Sequence, residues 1–504
     1  MVDFTPILRY YARRRDRARS AVPPAAAQAM SLARLVGAAQ RTAFGRAHGF
    51  RRIRGVEDFQ AAVPLRRYED LWSEWWEPEF PQLRDVTWPG KIPYFAVSSG
   101  TSTGRTKYLP LSRSLVAANR RAGLELLSNH VLNRPQSRIL GGRLFMLGGS
   151  TRLQRLGRGV KGGDLSGILA AETPSWSGLL TYPTKRLLQI EDWEEKIAAL
   201  VADLPRRDIR MIGGTPSWLL LLFDALARAH PQAGWGAKGL FPNLEMVVHG
   251  GVNFAPYRHR FAEWLDGTGA ETREVYPASE GFIAIADAGP DDGLRLILDD
   301  RLFFEFVPLG ELDGETPTRH WIGNVETGVN YAVILSSSAG FWAYVLGDTV
   351  EFVCLDPPRV KITGRISYSL SAFGEHLVDA ELEAAIAAAA REIGADVTDF
   401  SVGPLFPDGD ESRGRHRFVV EFAAAQPDDA VARFATALDA ALCAENEDYE
   451  VHRRADFGMA APEVRAVPPG RYAAWMKAKG KLGGQHKVPR VVGDAADLDG
   501  LLDD

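Results

Sequence analysis

The chain has 504 residues, 46% of them hydrophobic and 24% charged, with a net charge of −5. That is enough apolar material for two domains, or for one large domain with an appendage. Cys354 and Cys443 are the only cysteines, too few and too far apart for a disulfide framework or a zinc knuckle, and no apolar run of about 18 residues reads as a membrane span. The expectation is a cytoplasmic protein with no secretory signal.

The N-terminal 54 residues carry twelve Arg and two Asp. No aromatic-interleaved basic patch accompanies them, so they read as a solvated helical face, with neither a nucleic acid nor a membrane as partner. Residues 6–48 read as helices. Pro23-Pro24 interrupts them, and Ala29, Leu32, Ala33 and Val36 share one face. A Trp- and Pro-rich connection from Pro64 to Pro93 leads to a short strand over 91–97, a Gly/Ser/Thr loop, and a helix from Ser112 to His130. Strands then alternate with helices: strands at 144–147, 209–212, 244–248 and 272–275, helices at 185–204, from Pro216, and at 256–265. Such alternation predicts α/β with largely parallel sheets. Strands dominate 294–362, so the sheets of the large N-terminal domain (1–365) are mixed. A small α+β C-terminal domain follows at 366–504, with helices at 379–392 and 428–443, a strand at 417–422 and a closing segment at 463–467. That domain is acidic, with 25 Asp and Glu against 14 Lys and Arg over 367–504.

Four segments carry chemistry. Ser98-Ser-Gly-Thr-Ser-Thr-Gly-Arg-Thr-Lys107 offers backbone N–H groups, hydroxyls and an ammonium to a phosphate, although its order is not that of a Walker loop. Val275-Tyr-Pro-Ala-Ser-Glu-Gly281, at a strand end, has an aromatic ring able to stack on a base and a Ser–Glu pair able to reach phosphate or magnesium. Phe341-Trp-Ala-Tyr-Val-Leu-Gly-Asp348, followed by Gly364-Arg365, has an aspartate that can accept both ribose hydroxyls, or simply bond its own turn. Gly483-Gly-Gln-His-Lys487-Val-Pro-Arg490 places a lysine after a flexible glycine pair.

In this order the four resemble the adenylate-forming superfamily of acyl-CoA synthetases and luciferases. Gly364-Arg365 through Gly374-Glu to Asp379-Ala-Glu-Leu-Glu383 resembles that superfamily's hinge. Further motifs are similar to the Gretchen Hagen family, the auxin-responsive acyl acid amido synthetases and their bacterial relatives. They are Thr42-Ala-Phe-Gly-Arg-Ala-His48, Asp58-Phe-Gln60 with Pro64, Tyr94-Phe95, Pro216-Ser-Trp218, Phe304-Glu-Phe306 and Gln485-His-Lys487-Val-Pro-Arg490. Tyr344 is followed by Val345, where that family has Arg, so one cationic contact is missing or comes from elsewhere.

The resemblance implies ATP and Mg2+ as cofactors, formation of an acyl-AMP, and transfer of the acyl group to an amine, in particular that of an amino acid. The acid is expected to be a small aryl or indolyl carboxylic acid. By the same resemblance Ser98, Ser99, Gly100, Thr101 and Lys107 hold phosphate and Tyr276 lies along the adenine. Ser279 and Glu280 meet phosphate and metal, Asp348 and Arg365 meet the ribose, and Lys487 rides on a mobile C-terminal domain as a catalytic group with Lys107 and Glu280. The acyl pocket is expected at Leu124, Ser128, Ser217, Trp218 and Phe282. An acyl-CoA ligase shares the first half-reaction and stays open as an alternative, as does a non-catalytic nucleotide-binding protein.

Overall fold

In the computed structural model the strand–helix alternation produces a twelve-stranded mixed sheet with a four-stranded sheet beside it in sequence, and a separate three-stranded sheet near the C-terminus. The structure describes residues 2–502 except 100–105, 149–152, 174, 191–192, 235, 252–253, 255–256, 290–291, 299–300, 367–376, 378, 406–413, 447–448, 451–452, 454–458, 480–487 and 493–494. The chain divides into two compact units: Met1–Gly251 with Glu263–Lys361, and Val252–Ala262 with Ile362–Asp504.

The parallel half of the large sheet runs Thr181–Tyr182, Arg143–Met146, Ile209–Gly214, Met246–Gly250, Glu271–Ala278. Met246 and Val248, two apart on one strand, point the same way and pack with Ala122, Leu126, Leu127 and Val131 of the helix Arg113–Asn133. From Glu271–Ala278 the sheet continues through Gly281–Ile285, Leu294–Leu296, Pro358–Arg365, Tyr344–Leu355, Asn330–Ser337 and Leu302–Pro308 to His320–Trp321. The four-stranded sheet has the order Thr106–Leu111, Tyr94–Ser99, Val160–Gly163, Gln154–Gly157.

Two local readings change. The loop after Tyr94–Ser99 does not lead straight into a helix. A second strand, Thr106–Leu111, pairs back first, and the helix starts after it with the Ser112 hydroxyl accepting from the Leu115 N–H at 3.0 Å. On the helix Pro24–Ala39, Ala29 and Ala33 are exposed, and the buried face is Gln28, Ser31, Leu32, Leu35, Val36 and Ala39. Polar residues sit there because they satisfy sheet backbone. The Gln28 amide donates to Leu298 O (2.6 Å) and Leu302 O (3.1 Å) and accepts from the Phe304 N–H (2.8 Å), while Ser31 donates to Leu298 O (2.9 Å).

The basic N-terminal helix Thr5–Ser20 is only partly a solvated face. Arg15 and Arg19 reach the buried Glu125 carboxylate at 3.1 and 2.7 Å, while Arg13, Arg14 and Arg17 remain exposed.

In the smaller unit the strand Arg415–Phe422 lies between Val397–Leu405 (antiparallel) and Glu463–Val467 (parallel). Phe418, Val420 and Phe422 face the helices Asp379–Ile393 and Asp428–Glu445, whereas Val419 packs on the other side with Tyr472, Trp475 and Leu501. This period of two makes the unit α+β with a helical layer on each face.

Candidate active site

Ala278 pairs with Gly281, so Ser279 and Glu280 are the two residues of a tight turn where the large sheet changes from parallel to antiparallel. At Gly281 a Cβ would meet the end of the Leu302 side chain at 2.6 Å, so a larger residue would have to push it aside. The turn lies at the carboxyl end of a parallel strand, the end at which open α/β sheets bind ligands. Glu280 is buried, and the Tyr344 hydroxyl donates a hydrogen bond to it. Burial first, and then the Glu280 carboxylate, push the Tyr344 phenol well above its ordinary range, so it stays a donor.

Asp348 is placed by a bulge. Ala332 pairs with Thr349 and Ile334 with Val345, which leaves Leu346, Gly347 and Asp348 opposite the single residue Val333. Gly347 has φ +98°, a conformation that a side chain would strain. Asp348 accepts a 2.6 Å hydrogen bond from the Tyr276 hydroxyl, and both residues are buried. A buried carboxylate anchored by a phenol presents an acceptor of fixed direction.

Lys107 stands opposite Ser98 in the hairpin, and Thr106 opposite Ser99. Gly100, Thr101 and the side chains of Ser98 and Ser99 lie outside the described residues. The Lys107 ammonium is 3.6 Å from Glu69 and 5.0 Å from the centre of the Tyr68 ring. Tyr68 accepts from the Tyr108 N–H at 2.9 Å, and its phenol is pushed up to about 12, chiefly by burial. The chain reaches this point because Arg66 runs beside Tyr344: Arg66 N–H donates to Ala343 O (3.0 Å), and Val345 N–H to Arg66 O (2.9 Å). Glu69 and Tyr68 also act on the Tyr344 phenol, so Lys107, Glu69, Tyr344 and Glu280 form one electrostatic cluster. A partly exposed Lys–Glu pair contributes about 0–1 kcal/mol, so an incoming phosphate can take Glu69's place.

Models of the GH3 family match the chain in three consecutive blocks: the N-terminal domain at residues 19–228, the central domain at 295–365 and the C-terminal domain at 380–496. The chain belongs to the GH3 family. It is 24% identical over 270 residues to indole-3-acetic acid-amido synthetase GH3.3 of Arabidopsis thaliana, which takes in 50% of this chain and 44% of that one. To jasmonoyl–L-amino acid synthetase GH3.5 of Oryza sativa subsp. japonica it is 25% identical over 236 residues, 43% of this chain and 40% of that one. The chain thus spans less than half the length of these curated relatives in alignment. The fold is that of GH3.15 acyl acid amido synthetase, with a TM-score of 0.79 at 17% identity over 94% of this chain and 92% of that one. It also resembles 2-hydroxyisobutyryl-CoA ligase in the postadenylation state, with a TM-score of 0.62 at 15% identity over 94% and 90%.

Of the other site residues expected in this GH3 chain, Arg365 closes the strand Pro358–Arg365 and belongs to the smaller unit, and Lys487 lies outside the described residues. Trp218 is buried near the start of the helix Pro216–Ala229, and the Ser217 side chain is not among those described. Phe282 packs on the core under the helix Arg113–Asn133. Leu124 is 41% exposed, whereas Ser128, one turn on, is buried with no hydrogen-bond partner for its hydroxyl among the described residues.

Sequence reasoning missed Glu69 and the Tyr344 phenol, whose roles appear only when residues 66–69 lie beside 343–345. It also missed Met146, 46% exposed at the carboxyl end of its strand, with its sulfur where any Cβ on Gly213 would fall. The signal for that close approach was the Gly213-Gly214 pair. Among the described residues no three His, Cys, Asp or Glu side chains are grouped to hold a metal ion. A magnesium ion carried in on nucleotide phosphates needs only one or two carboxylates from the protein, which Glu280 can supply.

Proposed function

We propose that this GH3-family chain is an acyl acid amido synthetase that activates a small aryl or indolyl carboxylic acid with ATP and passes the acyl group to the amine of an amino acid. In the first half-reaction a carboxylate oxygen bonds to the α-phosphorus of ATP as the bond to pyrophosphate breaks. In the second the amine nitrogen attacks the acyl carbon, the bond to AMP breaks, and the amine loses a proton. AMP is a good leaving group, so the protein's work is positioning and charge neutralisation. Magnesium supplies charge neutralisation at the phosphates, with Glu280 as its carboxylate ligand.

The observation carrying this reading is the pair of buried carboxylates, each held by a tyrosine: Asp348 by Tyr276 and Glu280 by Tyr344, with Lys107 joined to the second through Glu69. A fixed carboxylate, which can only accept, suits the two ribose hydroxyls, and a carboxylate–ammonium cluster suits magnesium and phosphate. Ser98, Ser99, Gly100 and Thr101 complete the phosphate contacts, Ser279 joins Glu280, Arg365 is a second ribose contact, and the segment beyond residue 365 carries Lys487 to the α-phosphate. Support for an amine over a thiol acceptor is family membership, together with a fold nearer to GH3.15 than to the CoA ligase.

The test is ATP–pyrophosphate exchange across a panel of aryl and indolyl acids, followed by mass analysis with mixed amino acids and, separately, with CoA. Acid-dependent exchange with an amide product is expected. A thioester product would move the chain to the ligases, and absence of exchange with every acid would refute the activity.

A further inference from the structure

A heavily built polar site outside the candidate active site surrounds Arg490 in the smaller unit. Its Nη1 donates to Asp399 Oδ1 (2.5 Å) and Phe400 O (2.8 Å), and its Nη2 donates to the Tyr257 hydroxyl (3.2 Å). Its Nε is 3.7 Å from Glu383, and the guanidinium lies 4.5 Å above the Phe400 ring. The Arg490, Asp399 and Glu383 side chains are only 11%, 10% and 7% exposed. The backbone around it is pinned as well. Ser401 Oγ donates to Pro489 O (2.6 Å), Val402 N–H donates to Arg490 O (2.7 Å), and Val492 N–H donates to Val402 O (2.9 Å). Val402 and Val491 pair in parallel, and Val488 and Val492 pack with Tyr472 and Trp475. Residues 488–492 thus run along the edge of the three-stranded sheet, joined to it by a parallel bridge at Val491.

A buried ion pair is a weak source of stability, since apolar side chains of the same volume do as well or better, but it can fix a register. Here an apolar residue at 490 would leave this segment without a side-chain contact that fixes its register, because its other side chains are three valines and a proline. The guanidinium can meet Asp399, the Phe400 carbonyl and Tyr257 together in only one register. Lys487 precedes Arg490 by three residues in sequence, and a slip of one residue at Arg490 is a shift of about 3.5 Å along the chain. A displacement of about 1 Å can cost two powers of ten in a reaction that depends on positioning.

We propose that Arg490 is a positioning residue for Lys487, fixing the register of the segment that follows that lysine in the chain. This rests on the adenylating role given to Lys487 above. Arg490→Lys keeps a cation beside Asp399 but loses the fork. It should slow single-turnover acyl-AMP formation tenfold or more, with the KM for ATP changed less than threefold and amine attack on pre-made acyl-AMP unchanged. In a Lys487→Ala background the same substitution should have no further effect, whereas a general structural defect would slow both half-reactions and add to Lys487→Ala. Ser401→Ala, which removes the Pro489 pin and a contact with the Tyr472 hydroxyl, provides a second variant should Arg490→Lys fail to fold. It should slow adenylation several-fold and likewise lose its effect without Lys487. Normal adenylation in a folded Arg490→Lys, or additivity with Lys487→Ala, overturns the proposal while leaving the enzyme reading intact. A Lys487→Ala variant that adenylates at the wild-type rate removes the reading of Lys487, and this proposal with it.

Discussion

Asp348→Ala isolates the nucleotide reading. The carboxylate is buried and anchored by a hydrogen bond from Tyr276 at 2.6 Å, and the proposed reading has it accept from both ribose hydroxyls. A hydrogen bond to a charged acceptor contributes about 1.5–3 kcal/mol, so losing two weakens ATP binding by about 3–6 kcal/mol, at least a hundredfold in Kd. The same substitution strands the Tyr276 hydroxyl at a cost of about 1–3 kcal/mol in stability, so folding is checked first by circular dichroism and a urea titration. The assay is calorimetric titration with ATP and with 2′-deoxy-ATP. Wild type should prefer ATP by about 1.5–3 kcal/mol, the share of one hydroxyl. The variant should bind both weakly and without preference. Unchanged affinity for ATP in the folded variant, or a 2′-hydroxyl preference that survives the substitution, would refute the ribose role and return Asp348 to a turn residue.

Glu305 is fully buried and held by Arg319 through Nε and Nη2, while Arg319 Nη1 caps the carbonyls of Gln60 and Val63. Arg319→Met should therefore cost about 3–5 kcal/mol in urea unfolding, and Glu305→Leu combined with Arg319→Met much less, because only the single change leaves a buried charge unpaired. Gly347→Ala forces a side chain to φ +98°, so about 1–3 kcal/mol of stability should go together with ATP affinity, as the bulge that carries Asp348 relaxes. His130 is buried between Glu245 and Glu271 at 3.2 and 2.8 Å, near Arg134, Arg210 and Arg273. Burial disfavours its charged form, but the two carboxylates outweigh this and raise its pKa above the ordinary 6.5. Its contribution is then complete below pH 6.5 and is lost as pH rises through the raised value. The unfolding midpoint should fall over that alkaline flank in wild type and stay flatter in His130→Gln, and a fall of equal size in both would exclude the histidine.

What the sequence disclosed was what is local. Strands at 209–214, 271–278 and 415–422 and helices at 379–393 and 428–445 follow directly from apolar period and turn residues, so they were legible within a few positions. The Ser279-Glu280 turn and the Gly347-Asp348 break were legible for the same reason. Ala29 and Ala33 misled because burial on that helix is decided by Gln28 bonding to a strand some 270 positions away. Glu69 gave no signal at all, since its meaning depends on residues 66–69 running beside 343–345. Gln60 and Glu305 were noticed as motif letters. Their physical content, a buried ion pair completed by Arg319, needed three distant segments to be brought together.

The candidate groups share one feature: each sits where a regular element is broken. Glu280 is in a two-residue turn, Asp348 in a bulge opposite one residue, and Lys107 beside the loop of a hairpin. A strand interior cannot aim a side chain anywhere but up or down, whereas a break can, at the cost of tolerating few neighbours. Gly281 and Gly347 stand beside two of these breaks for that reason, one against Leu302 and the other at positive φ. Register is then the quantity the molecule has to protect, and the buried polar pairs are where it does so. Glu305–Arg319 ties the chain at residues 60–63 to the sheet, and Arg490–Asp399 holds the segment after Lys487. Substitutions at these pairs should disturb activity well before they unfold the protein if register governs, and only in step with unfolding if it does not.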